Sequence, residues 1–275
     1  MKIDLELRPG QSVELLKSLH ILTHDGKINQ DSRRKLKQVY HLYQFIEPLL
    51  KDLSVHGEFA VADLGAGKSY LGFIIYDLFL KNLASAKLFA IESRNELIEA
   101  SLKLKEKLRF GRMEFCSQTV DEAMYSPNLP AEIQLVTALH ACDTATDDAI
   151  RFAIAKKAKH IVLVPCCQAE MATQLKLVKP KMLATSPLVE LFRHSLHTRE
   201  FGAHLTNVLR ALWLESLGYQ VTVTELVGWE HSMKNELIMA TYKNLPGEKA
   251  HIKLQAILET FNLSELESSR RFTLI

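Results

Sequence analysis

The sequence predicts an α/β fold: a doubly wound, mostly parallel sheet of seven strands with an antiparallel last strand, preceded by an N-terminal helical extension. Three observations predict it. After Gly57, short apolar runs alternate with helical patterns, the signature of strands joined by covering helices. The runs are continuously apolar, as in strands buried on both faces. Near the end, two strand patterns follow each other too closely for a parallel crossover, so they form a hairpin.

Each element can be justified in order. In residues 1–57, Leu36, Val39, Tyr40, Tyr43, Ile46 and Leu50 recur at helical spacing after an Asp31/Ser32 start signal. "EFAVADLG" is the first strand, followed by a glycine turn and an apolar helix from Ser69 to Leu80. "AKLFAIES" is the second, with a helix from Asn95 to Leu108, and "RMEFCSQ" is a short third. "IQLVTALH" is the fourth, with a helix from Thr144 to Ala158; "HIVLVPCC" is the fifth, with a helix from Gln168 to Leu175. Residues 176–198 have no clear period and read as a lid or insertion. "TREFGAHLTNVLRALWLESLG" is a long helix closed by Gly218, feeding the hairpin strands "YQVTVTELV" and "NELIMATY". The expected division is an extension over 1–57, a main domain over 58–245 and a helical tail over 246–275 packed on it.

The 275 residues, 47% hydrophobic and 24% charged, suffice for one substantial core. A formal net charge of +2 does not by itself mark a nucleic-acid binder. The cations are clustered, however: Arg33, Arg34, Lys35 and Lys37, then Lys103, Lys105, Lys107, Arg109 and Arg112. Such clusters read either as solvated helix faces or as phosphate contacts. Cys116, Cys142, Cys166 and Cys167 form no disulfide framework and no zinc spacing. The N-terminus lacks the apolar core of a signal peptide, and no uncharged stretch reaches membrane-spanning length. A reduced, cytoplasmic setting with no membrane partner is expected.

The stretch "ADLGAGKSY", 62–70, carries the chemistry. Gly67-Lys68-Ser69 is how a P-loop ends, but that motif needs glycine where Ala62 stands. Asp63 at the mouth would also repel a phosphate. A dinucleotide fingerprint would need its last glycine at Tyr70. Ligands of doubly wound sheets sit at the carboxyl ends of strands, where the second strand ends in another acid, Glu92. A carboxylate there suits a pair of ribose hydroxyls.

An acid followed by GxG, with a second acid ending the next strand, resembles the class I S-adenosylmethionine (SAM) methyltransferases, which have a Rossmann-like sheet. "LHACDTATDDAI" (139–150), "VPCCQAE" (164–170) and "EHSMKNELI" (230–238) sharpen the resemblance. With "DLGAGKSYLGF" they look like one methyltransferase group carrying LHAC-D/G-x-A-T-D, a PCC and an H-[ST]-x-KN segment. That group is similar, more distantly, to eukaryotic tRNA 2′-O-methyltransferases with a "CGxATD…CCH" pattern. The resemblance covers residues 30–243. Ser69 stands where many members have glycine, Gln168 where the tRNA enzymes have histidine, and the zinc-finger cysteines of those enzymes are absent.

The resemblance implies SAM as cofactor, held by Asp63, Leu64, Gly65, Ala66, Gly67, Glu92, Ser93, Gln118, Thr119, Leu139 and His140. It implies catalytic work at the acceptor by His140, Asp143, Lys234 and Asn235. By chemistry, His140 and Asp143 can orient an acceptor or take its proton, while Asp143 or Thr144 equally suits a helix cap. Lys234 and Asn235 suit an acceptor alkoxide or phosphate, and equally a surface turn. Asp147 and Asp148 read as first-turn acids favoured by the helix dipole. Arg193, His194, His197 and Arg199 either line the same rim or begin a solvated helix. His140, Cys142, Cys166 and Cys167 invite a zinc or nucleophile reading; small gap-filling cysteines account for them better, and no metal is expected. The expected activity is methyl transfer from SAM to RNA, tRNA or rRNA. The alternatives are a small-molecule or protein acceptor, a non-catalytic SAM- or RNA-binding module and, as a minor reading, a P-loop NTPase.

Overall fold

In the computed structural model, residues 7–139, 143–165, 169–183, 186–226, 236–264 and 272 are described. Strands β1 (Phe59–Leu64), β2 (Ala86–Glu92), β3 (Met113–Ser117), β4 (Leu135–Leu139), β5 (His160–Val164), β6 (Tyr219–Glu225) and β7 (Glu236–Tyr242) form one sheet. Their order is β3-β2-β1-β4-β5-β7-β6. The first five are parallel, and β7 runs antiparallel to both β5 and β6. The strand order reverses between β1 and β4, which opens the crevice where such sheets take ligands.

Continuous apolarity in the strands follows from two covered faces. Ala60, Ala62, Phe89, Ile91, Ile161 and Leu163 point into one core; Val61, Leu88, Ala90, Val162 and Val164 point into the other. The second core is closed by α1 (Val13–Ser18), α2 (Gln30–Ser54) and α3 (Tyr70–Leu78). Helix α2 starts earlier than the Asp31/Ser32 signal implies, because Asn29 is the cap and its side chain accepts from the Ser32 N–H at 2.7 Å. Buried Asp77 in α3 accepts from the Ser12 N–H at 2.8 Å, pinning the extension to the sheet.

The helix after β2, α4 (Asn95–Leu108), has the expected bounds. The first core is closed by α5 (Val120–Met124), α6 (Ala145–Ala155), α7 (Ala169–Leu183), α8 (Ser195–Ser216) and α9 (Glu248–Thr260). Residues 176–198 are not one loop. Helix α7 continues to Leu183 across Pro180, a 3-10 turn spans Pro187–Phe192, and α8 starts at Ser195. Leu254 and Leu258 of α9 are buried in the same core. Among the described residues, no helix is long and apolar enough to cross a membrane.

Candidate functional site

The glycine turn leaves β1 at Leu64. Gly65 and Gly67 sit at φ +59° and +58°, the left-handed region that side chains resist. A Cβ at Gly65 would meet nothing, so the requirement there is conformational rather than spatial. The Ala66 N–H donates to the Ile91 carbonyl at 3.0 Å, and the Gly67 N–H donates to Glu92 Oε2 at 2.8 Å. The turn is thereby stitched onto the end of β2.

Ser69 also lies at φ +52°, a left-handed backbone that glycine adopts more readily than serine. Its buried hydroxyl has no hydrogen-bond partner among the described residues. Behind it, a Cβ on Gly72 would come within 3.2 Å of Asp63 Oδ2 and 2.5 Å of Ser69 Oγ, so only glycine lets α3 approach the turn.

Asp63 does not reach the surface. It is 2% exposed beneath the turn, accepting from Thr137 Oγ1 of β4 at 3.0 Å and from the Gly72 backbone N–H. Burial pushes its carboxyl up to about 7, against those two hydrogen bonds. Glu92 is the opposite case. It is 5% exposed, and Arg94 Nε and Nη2 donate to its two oxygens at 2.9 and 3.1 Å. These bonds, with the N–H groups of Arg94 and Gly67, outweigh burial and hold the carboxyl at about 2. One acid therefore supplies a permanent negative charge at the crevice, while the other lies near neutrality below it.

The remaining expected cofactor residues fall around the same strand ends. The Gln118 N–H donates to the Glu92 carbonyl at 3.2 Å, and its buried Oε1 finds no partner among the described residues. Gln118 also lines a cavity of about 670 Å³ with Phe89, Cys116 and Pro127, where the five-residue α5 leaves β2 and β3 thinly covered. Thr119 is engaged elsewhere, forming a capping box with Glu122 at the start of α5. Ser93 is exposed, and Leu139 is half-buried at the end of β4.

Just before α6, Asp143 takes φ +52°. Its Oδ1 accepts from the Glu170 N–H at 3.2 Å, so its carboxylate serves the first turn of α7 rather than capping α6. Asp147 is more than a first-turn acid: buried Arg210 Nε donates to its Oδ1 at 2.6 Å. Arg193 pairs with Glu190 and Arg199 with Glu200, while the rings of His194 and His197 meet edge to face. His140, Cys142, Cys166, Cys167, Gln168, Lys234 and Asn235 lie outside the described residues.

Thr137, Arg94 and Arg210 are the residues that sequence reasoning missed. Each left a trace: a hydroxyl inside "LVTAL", a cation two positions after the strand-ending acid, and a lone cation within the apolar run "NVLRALW".

This donor set fits SAM. Positive-φ glycines allow close backbone approach, Glu92 can accept from hydroxyls, and its ionised carboxylate disfavours a phosphate.

A family model for a methyltransferase domain matches residues 34–174. No curated protein matches the chain. Among solved structures, it is similar to magnesium protoporphyrin IX methyltransferase from Synechocystis PCC 6803 with SAH bound, at 14% identity and a TM-score of 0.49, covering 83% of this chain and 94% of that one. It is also similar to TrmK from M. capricolum with SAH, at 12% identity and a TM-score of 0.42, covering 80% and 85%. An rRNA methylase from Streptococcus thermophilus is similar at 8% identity and a TM-score of 0.41, covering 68% and 87%.

Proposed function

This chain belongs to the methyltransferase domain family whose model spans residues 34–174, and we propose that the acceptor of its methyl group is RNA. It is a SAM-dependent methyltransferase. When bound, SAM supplies a methyl group on a sulfonium, already reactive toward in-line displacement. The protein's share is position and electrostatics. In this reading the backbone of Gly65–Gly67 and the Glu92 carboxylate hold the cofactor, with Gln118 and Leu139 beside it. Asp63 supports the turn from below. Asp143, with His140, Lys234 and Asn235 from the sequence, serves the acceptor.

One observation supports RNA above the alternatives. Exposed Arg33, Arg34, Lys35 and Lys37 begin α2, while Lys103 and Arg109 are exposed on α4 and at its end. Helix α1 and the turn after it touch both helices: Ser32 Oγ of α2 donates to the His20 carbonyl, and Lys107 of α4 pairs with Glu14 of α1 at 2.5 Å. Tyr70, beside the glycine turn, donates to the Leu19 carbonyl at the end of α1 at 3.1 Å. The basic strip therefore runs up to the cofactor end of the sheet, as tracking a polyanion requires.

Methyl-labelled SAM incubated with the protein and a fractionated lysate tests this. Label should appear in RNA and disappear on ribonuclease treatment. Label confined to protein or small molecules would transfer the acceptor to those classes.

A further inference from the structure

We propose that Arg210 is a positioning residue for the cofactor: from inside α8 it fixes the backbone of Asp143 and the first turn of α6, at the carboxyl end of β4. This rests on the reading that Leu139, at that end, lies beside the cofactor.

Arg210 is 0% exposed, and its guanidinium works in three directions. Nε donates to Asp147 Oδ1 at 2.6 Å, Nη1 to Asn207 Oδ1 at 3.0 Å, and Nη2 to the Asp143 backbone carbonyl at 2.7 Å. The last bond matters most. Asp143 holds a left-handed backbone, φ +52°, which aspartate tolerates better than most residues but which local hydrogen bonds still help to keep. Arg210 fixes its carbonyl, and the Glu170 N–H, at 3.2 Å, fixes its carboxylate.

The same turn of α8 reaches further. Asn207 Nδ2 donates to Glu236 Oε2, at the first residue of β7. One turn of α8 thereby ties together Asp143, the first turn of α6 and the start of β7, while the Asp143 carboxylate adds the start of α7. These are the elements that border the crevice on its acceptor side.

Stability alone does not account for this arrangement. A buried ion pair is often replaceable by apolar side chains at little cost to folding. A planar fork that meets a carboxylate, an amide and a backbone carbonyl together is a demand for geometry, which lysine cannot meet.

The experiment separates the two roles with an Arg210→Met/Asp147→Leu double variant and an Arg210→Lys variant. Three quantities are read: the thermal midpoint, the affinity for S-adenosylhomocysteine (SAH) by calorimetry, and amide hydrogen exchange over residues 139–147. The double variant should keep its midpoint within a few degrees while binding SAH about tenfold more weakly. Its amides at 143–147 should exchange at least about tenfold faster, the signature of a locally loosened segment. Arg210→Lys should fall between it and the wild type in both. If the double variant does not fold, Arg210→Lys is judged alone by the same two readouts. A folded variant with SAH affinity within about twofold of wild type and unchanged exchange overturns the proposal. A wild type that binds no SAH overturns the cofactor reading beneath it, and is recognised before any variant is compared.

Discussion

Asp63 is a buried carboxyl beneath the glycine turn, and that has a measurable consequence. Burial raises it to about 7, above its ordinary 3.8, so the folded protein binds this proton more tightly than the unfolded chain does. Its stabilising contribution is complete below the unfolded value and is lost as pH rises through about 7. The positive charge of SAM favours the ionised form and draws the pKa down. SAM binding near pH 7 should therefore release a fraction of a proton, read by calorimetry in two buffers of different ionisation enthalpy. Asp63→Asn should remove the difference between buffers. Identical enthalpies for the wild type in both would show that Asp63 does not sense the cofactor. The acid–glycine–acid pattern of this site was legible because it lies within one strand–turn unit and the end of the next strand. Thr137 was not, since its neighbour Asp63 is 74 positions away and they meet only because β4 pairs with β1.

At the level of elements, helices α7 and α8 depend on close approach. A Cβ on Gly202 would stand 2.9 Å from the Ala172 backbone nitrogen, so α7 and α8 touch backbone to side-chain position. Gly202→Ala should push them apart and destabilise the protein by about 1–3 kcal/mol, the usual range for overpacking. Thermal or urea unfolding checks this; an unchanged or raised midpoint would mean that the helices slide without strain. These elements also mark where sequence reading ran out. Helix α4 was legible end to end because its apolar stripe is regular. Helix α7 was not read beyond Leu175, because Pro180 and the Lys176, Lys179 and Lys181 around it look like a break, yet the helix carries them to Leu183. Five-residue α5 is too short for any periodicity, and its Thr119–Glu122 capping box went unread.

Across the whole molecule, the parallel sheet and its closing hairpin follow from local patterns, but the strand order depends on pairings between distant segments. The basic surface also differs from its linear description. Lys105 pairs with Glu114, Lys107 pairs with Glu14, and Arg112 Nη2 donates to the Leu80 and Lys81 carbonyls, so part of the Lys103–Arg112 cluster serves the fold. Arg34 also pairs with Asp31, so the cations of these clusters left for a polyanion are Arg33, Lys35, Lys37, Lys103 and Arg109. Neutralising four of them to glutamine should weaken RNA binding across sequences and reduce the slope of log K against log salt by about 3. SAM affinity should stay constant. An unchanged salt slope would remove RNA as the acceptor and favour a small molecule or protein.

The central claim is that the glycine turn and Glu92 together form a SAM site. Glu92 accepts from the Gly67 N–H and from Arg94, and it is the one buried carboxylate there held fully ionised. The most direct measurement is a calorimetric titration of SAM, SAH and ATP into the wild type and into Glu92→Ala. The wild type should bind SAM and SAH but not ATP, and Glu92→Ala should lose about 1.5–3 kcal/mol of SAM affinity, as expected for hydrogen bonds to a charged group. ATP binding without any response to SAM, or a Glu92→Ala affinity equal to that of the wild type, would contradict it.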